Sequence, residues 1–202
     1  MFSLDELLSI PQDKLMEEVN KLDDEEINQL VEWLTLKEDK PRYQAFLMLK
    51  YRSTSDAAVY QYWDVFRSKL GSANSYQRSI GLMLIAENAR WDTCEKLKET
   101  LEEYLKLLQD EKPITVRQCI QSLKPIIEAM PELNETIAER LMSLDMTEYK
   151  ETMRKLILMD VLYILLSMNR QKRNERIESY IFGALTGEIL DQKSKKLIEA
   201  QL

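Results

Sequence analysis

The sequence predicts an all-α chain, an α-solenoid of about four stacked helix pairs behind an N-terminal helical cap. Arg42, Arg78, Arg117 and Arg154 recur at steps of 36, 39 and 37 residues, and each is followed three residues later by Ala45, Gly81, Ile120 or Ile157. More aliphatic side chains follow in every case, the mark of helix pairs that cannot bury an apolar face alone and lean on their neighbours. Only four glycines and five prolines occur in 202 residues, which leaves little material for hairpins, Gly-rich loops or a disordered linker. A single domain over 1–202 is expected, with a cap over 1–38, repeats over 39–187 and a tail helix over 188–202.

Each element has its own warrant. Ser3 and Glu6 are spaced as a capping box and open a short helix that Pro11 stops. Pro11 then stands in the first turn of a second helix with Leu15, Val19 and Leu22 at helical spacing. Asp23 or Asp24 caps a third, with Ile27, Leu30, Val31 and Leu34 on one face. The first full pair is expected over 41–51 and 56–70, the latter with Val59, Trp63, Phe66 and Leu70 on one side and Gly71 as its stop. In the second pair, 75–89 is apolar nearly all round, which calls for enclosure by neighbours. Its partner over 92–108 carries the stripe Leu97, Leu101, Tyr104, Leu105 and Leu108.

The third pair starts at Pro113, with Val116, Ile120, Leu123 and Ile127 facing inward and Pro125 predicting a kink. Its second helix is expected over 131–144. The fourth opens at Thr147 and runs through the apolar stretch Leu156–Met168; a basic loop, Asn169–Arg173, leads to a helix with Ile177, Ile181 and Leu185 that Gly187 ends. A charged helix over 191–202 closes the chain. The apolar stretch is about 13 residues long and interrupted by Asp160, whereas a bilayer span needs roughly 20.

Composition narrows the chemistry. Histidine is absent, which removes Ser-His, Cys-His and Zn-His arrangements together. Cys94 and Cys119 are the only cysteines and lack paired spacing, so no disulfide framework is expected and a cytoplasmic location fits. The first ten residues carry Asp5 and Glu6 and do not read as a secretory leader. The net charge of −7 is uneven: residues 1–38 hold eleven acids against three lysines, while 39–202 hold 24 acids against 25 bases. The acidic cap reads as the polar outer face that a terminal repeat needs, the alternative being a docking surface for a basic partner.

The segments Asp39-Lys-Pro-Arg42 and Asp110-Glu-Lys-Pro-Ile-Thr-Val-Arg117 resemble the acid, proline and Val-Arg opening of the first helix in HEAT-like repeats, relatives of armadillo. The resemblance spans roughly 39–187. Pro125 suits the kinked first helix common in that family, while the second and fourth units lack the opening proline. The resemblance implies a right-handed α-solenoid that serves as a non-enzymatic scaffold or adaptor for a protein or peptide. An alternative is a nucleic-acid binder resembling the HEAT-like DNA glycosylases, for which Tyr60, Trp63, Trp91 and Asp160 are the suitable residue types. A self-associating helical module is the third reading.

Candidate site residues follow from the same pattern. Arg42, Arg78, Arg117 and Arg154 present guanidinium forks suited to a polyanion, but their position favours a structural ladder paired with acids. Asp160, lone in an apolar helix, is expected to partner one of them, because a buried carboxylate without a partner is costly. Tyr60, Arg67, Arg90 and Trp91 are the expected partner-binding residues, being aromatic and arginine side chains placed off the core stripe. The basic run Arg170, Lys172, Arg173 and Arg176 reads as a solvated turn, and Glu99, Glu102 and Glu103 as surface charge pairs. No phosphate-binding Gly loop, nucleotide fingerprint or calcium loop is present, so neither cofactor nor metal is expected.

Overall fold

The computed structural model describes residues 3–202. All regular structure among them is helical, and no helix is long and apolar enough to cross a membrane. The chain divides into two compact units, Met1–Leu101 and Glu102–Leu202, with the boundary inside one helix.

In the first unit, α1 (Leu4–Ser9) begins on the expected box: Glu6 N–H donates to Ser3 Oγ (3.2 Å) and Ser3 N–H to Glu6 Oε2 (2.6 Å). The segment after Pro11 is not one helix. It is a 3-10 turn at Gln12–Lys14, α2 (Leu15–Glu18) and a second 3-10 turn at Val19–Lys21, with Leu15 and Val19 buried. Arg52 reaches back to take the Val19 carbonyl (2.7 Å), satisfying a helix-end acceptor that a further turn would otherwise use. Asp23 and Glu26 form a second box and start α3 (Asp24–Trp33), which buries Ile27, Leu30 and Val31.

Helix α4 (Asp39–Ser55) packs on α3, α1 and, further along the chain, α6 (Ser75–Asn88). Between them, the stretch expected as one helix from Asp56 is a 3-10 segment, Ala57–Tyr62, followed by α5 (Trp63–Leu70). Asp56 takes its side chain out of helical use by accepting from Ala58 N–H (3.0 Å) and pairing with Arg52 (2.9 Å). Trp63 and Phe66 are fully buried, and the Trp63 indole donates to Thr100 Oγ1 (3.1 Å). Helices α5 and α6 meet at Gly81, where an added Cβ would lie 2.7 Å from the Phe66 carbonyl oxygen and 3.0 Å from Lys69 Cβ. Only glycine permits that approach.

Asp92 was expected within a helix and instead caps one. Its carboxylate accepts from Lys96 N–H (3.0 Å) and Leu97 N–H (2.7 Å), so α7 (Lys96–Lys106) starts four residues late, behind Glu95 at a left-handed φ of 59°.

In the second unit, α8 (Pro113–Gln121) and α9 (Leu123–Ala129) take the place of one kinked helix, breaking at Ser122. Pro125 has no N–H for the Gln121 carbonyl, and the ladder opens there. A 3-10 turn at Pro131–Leu133 leads into α10 (Asn134–Met142). Thr147 lies in a 3-10 turn that Asp145 caps, and α11 (Glu151–Gln171) begins beyond it. Helix α11 buries Ile157, Val161, Leu165 and Met168, and packs on α8, α9, α10, α12 (Glu175–Thr186) and α13 (Gln192–Glu199). Asn174 and Asp191 cap the last two.

Candidate functional site

The recurring arginines do local work of a defined kind. Arg42 Nη1 donates to the carbonyls of Leu36 (2.8 Å) and Lys37 (3.3 Å), six and five residues earlier, and Nη2 pairs with Asp39. Arg78 repeats the geometry on Ser72 (2.8 Å) and Ala73 (3.2 Å). Arg154 latches its own turn through Nε to the Tyr149 carbonyl (2.9 Å) and Nη2 to that of Thr147 (3.2 Å). Each guanidinium thus fixes the turn that leads into its own helix.

Arg117 differs. Its Nε and Nη2 donate to Asp160 at 2.6 and 3.2 Å, and Gln121 Nε2 adds a third bond at 3.0 Å. Asp160 is 7% exposed in a helix otherwise lined with aliphatics. These hydrogen bonds hold the Arg117 proton more tightly than in a free guanidinium.

The four residues expected to bind a partner all lie in the first unit, in different settings. Tyr60 is half-buried, its hydroxyl donating to Asp92 Oδ1 (2.7 Å) and its ring meeting Trp63 edge-on at 5.7 Å. Burial first, then the Asp92 carboxylate, push that phenol well above its ordinary range. The Trp91 indole donates to the Ser53 carbonyl (2.7 Å), which ties it to the end of α4. Arg67 stands 3.9 Å from the exposed Glu99, and Arg90 3.8 Å from Glu87, whose side chain is largely covered. Tyr60 and Trp91 are therefore brought together through Asp92 and its turn, mainly as packing. Of the other residues suited to nucleic acid, Trp63 is enclosed and Asp160 is occupied by Arg117.

In the basic run, Arg173 pairs with Glu178 (2.7 Å), Arg176 with Glu139 (2.9 Å) and Arg170 with the Gln201 carbonyl. Among the described residues no group of three or more Cys, Asp or Glu is placed to hold a metal ion.

The more distinctive site was not singled out from the sequence. A cleft of about 650 Å³ lies where the turn after α3 meets the turn between α5 and α6, and it is lined by Lys37, Arg42, Lys69, Ser68, Ser72 and Gln77 among others, with no acid in its wall. Lys69 is 7% exposed, and its ammonium donates to Gln77 Oε1 (2.6 Å). The Gln77 amide is oriented by its other end, which donates to the Leu34 carbonyl (2.7 Å). No carboxylate lies within ion-pair distance of Lys69 among the described residues, and burial lowers its pKa from the ordinary lysine value. Arg42 Nε is buried without an acceptor on the same wall.

On the rim, Tyr76 keeps 56% of its surface in solvent with the Arg42 guanidinium 4.9 Å from its ring centroid. Tyr43, in the second turn of α4, is 52% exposed. From sequence alone, Lys69 reads as any lysine near a helix end; what distinguishes it is the close approach at Gly81.

Comparison with family models, with curated proteins and with solved structures returns no match to this chain.

Proposed function

We propose that the protein is a non-enzymatic, HEAT-like helical-repeat scaffold or adaptor that binds a protein or peptide partner in the cytoplasm. The Arg42–Tyr76 stack beside the cleft carries this reading: an exposed tyrosine ring over a guanidinium is the residue chemistry that dominates protein interfaces. The arginine spacing, and the way Arg42 and Arg78 each latch the turn before their own helix, support a repeat architecture.

The test uses the full chain as bait in its native cytoplasm. A partner recovered at fixed stoichiometry with the natural protein, lost with Tyr76→Ala and kept with Phe182→Ala supports the reading; Phe182 is 68% exposed in the second unit and serves as the control. Either no stoichiometric partner, or one indifferent to Tyr76→Ala, overturns it.

A further inference from the structure

We infer that the cleft walled by Arg42 and Lys69 is an oxyanion site that takes a phosphate group carried on the partner. Three observations point the same way. The wall presents three cations and no carboxylate. Lys69, nearly enclosed, meets only a neutral amide, which leaves two of its three N–H donors without a protein acceptor among the described residues. An ammonium buried with open N–H donors carries a desolvation cost that an anion in the cleft would offset. Arg42 contributes a second orphaned donor, its buried Nε.

Charge sets the class of anion. Asp39, bonded to Arg42, offsets one of the three cations and leaves a local charge of +2. A phosphate monoester brings about −1.5 to −2 at neutral pH and three acceptor oxygens. A single carboxylate would leave half the charge unmet. The hydroxyls are partly committed: Thr35 donates to the Glu32 carbonyl (2.8 Å) and Ser68 to that of Val65 (2.7 Å). Ser72 instead accepts from Asn74 N–H (3.2 Å) and keeps its proton to donate. The ligand-facing set is thus Lys69, Lys37 and the Ser72 hydroxyl, with Nε the one open donor of Arg42, because its Nη atoms are engaged on Asp39 and its own turn. The volume admits the phosphate together with the residue that bears it.

The inference rests on the reading of this face as a binding surface, but its probes are small molecules, so either test can fail without the other. Inorganic phosphate and O-phosphoserine are titrated into the ¹⁵N-labelled full chain at fixed pH and ionic strength, with acetate and chloride as controls. Both phosphates are expected to shift the Gln77 side-chain amide and the backbone amides of residues 72–74 saturably, with O-phosphoserine at least as tight. Lys69→Met is expected to weaken both about tenfold or more, the loss of a charge-assisted hydrogen bond. The natural protein is expected to unfold at a higher temperature when phosphate is added, and Lys69→Met to lose that gain, which a merely structural lysine would not produce.

Non-saturating shifts, equal shifts with acetate, undiminished binding by Lys69→Met, or exclusion of O-phosphoserine each overturn the inference. If Lys69→Met does not fold, the titration of the natural protein and of Ser72→Ala decides alone, the latter expected to bind several-fold more weakly.

Discussion

Replacing Asp160 by Asn removes one negative charge from the wall of α8 and α11 and changes almost nothing in shape. Three hydrogen bonds converge on this carboxylate, two from Arg117 and one from Gln121. The amide can accept with one atom only, so its NH2 group faces a donor. Removing one partner of a fully buried pair costs about 3–5 kcal/mol. Arg117 keeps 25% of its side chain in solvent and recovers part of its hydration, which lowers the expected loss to about 2–3 kcal/mol. With a urea slope of about 2 kcal/mol/M, the unfolding midpoint followed by circular dichroism should fall by roughly 1–1.5 M.

The paired variant Arg117→Met with Asp160→Leu makes the reasoning sharper. Replacing both charges with apolar side chains of similar length abolishes the desolvation cost as well as the attraction, and the stability should return to within about 1 kcal/mol of the natural protein. An Asp160→Asn midpoint unchanged within about 0.25 M, or about 0.5 kcal/mol at that slope, would refute the argument, since that is the range of an ordinary surface substitution. So would a double variant that loses the sum of the two single losses.

Three further outcomes are expected. Gly81→Ala should destabilise by about 1–2 kcal/mol in thermal or urea unfolding, because overpacking against the Phe66 carbonyl at 2.7 Å outweighs the helix preference of alanine. Asp23→Ala should cost about 1 kcal/mol through loss of the capping box at α3, measured the same way, with Asp23→Ser restoring most of it. Under native conditions a thiol reagent should modify the exposed Cys94 and leave Cys119 intact, since burial pushes that thiol far above its ordinary pKa and its Sγ lies 3.5 Å from the Tyr104 carbonyl; mass spectrometry before and after denaturation counts the labels.

What could be read from the sequence were the parts fixed by neighbours in the chain. The Ser3–Glu6 box, a cap at Asp23 or Asp24 and the stripe Ile27, Leu30, Val31 are three- and four-residue relationships; the box and the stripe form as spaced, and the structure settles the cap on Asp23 and adds Glu26 to make it a second box. Acidic residues at helix openings were the weak point, because one side chain can be a helix member, a cap or an ion-pair partner. Asp56 and Asp92 both act as caps here, shifting or tightening the helices expected around them. The candidate site was least legible. Lys69 owes its character to Gln77 and Gly81, eight and twelve residues on, and neither attracts attention until the two helices are brought together.

The arginine latches at Arg42 and Arg78 bind carbonyl oxygens, which every residue type supplies. Those turns are therefore held by length and not by lettering: the side chains at positions 36, 37, 72 and 73 are free to drift without slackening the latch. A one-residue insertion between a turn and its arginine rotates the guanidinium about 100° around the helix and strips the latch at once. The chemistry of the connections closest to the cleft thus answers to the ligand, through Lys37 and Ser72, while their spacing answers to the latch, a division that lets a ligand-facing surface diverge on an unchanging frame.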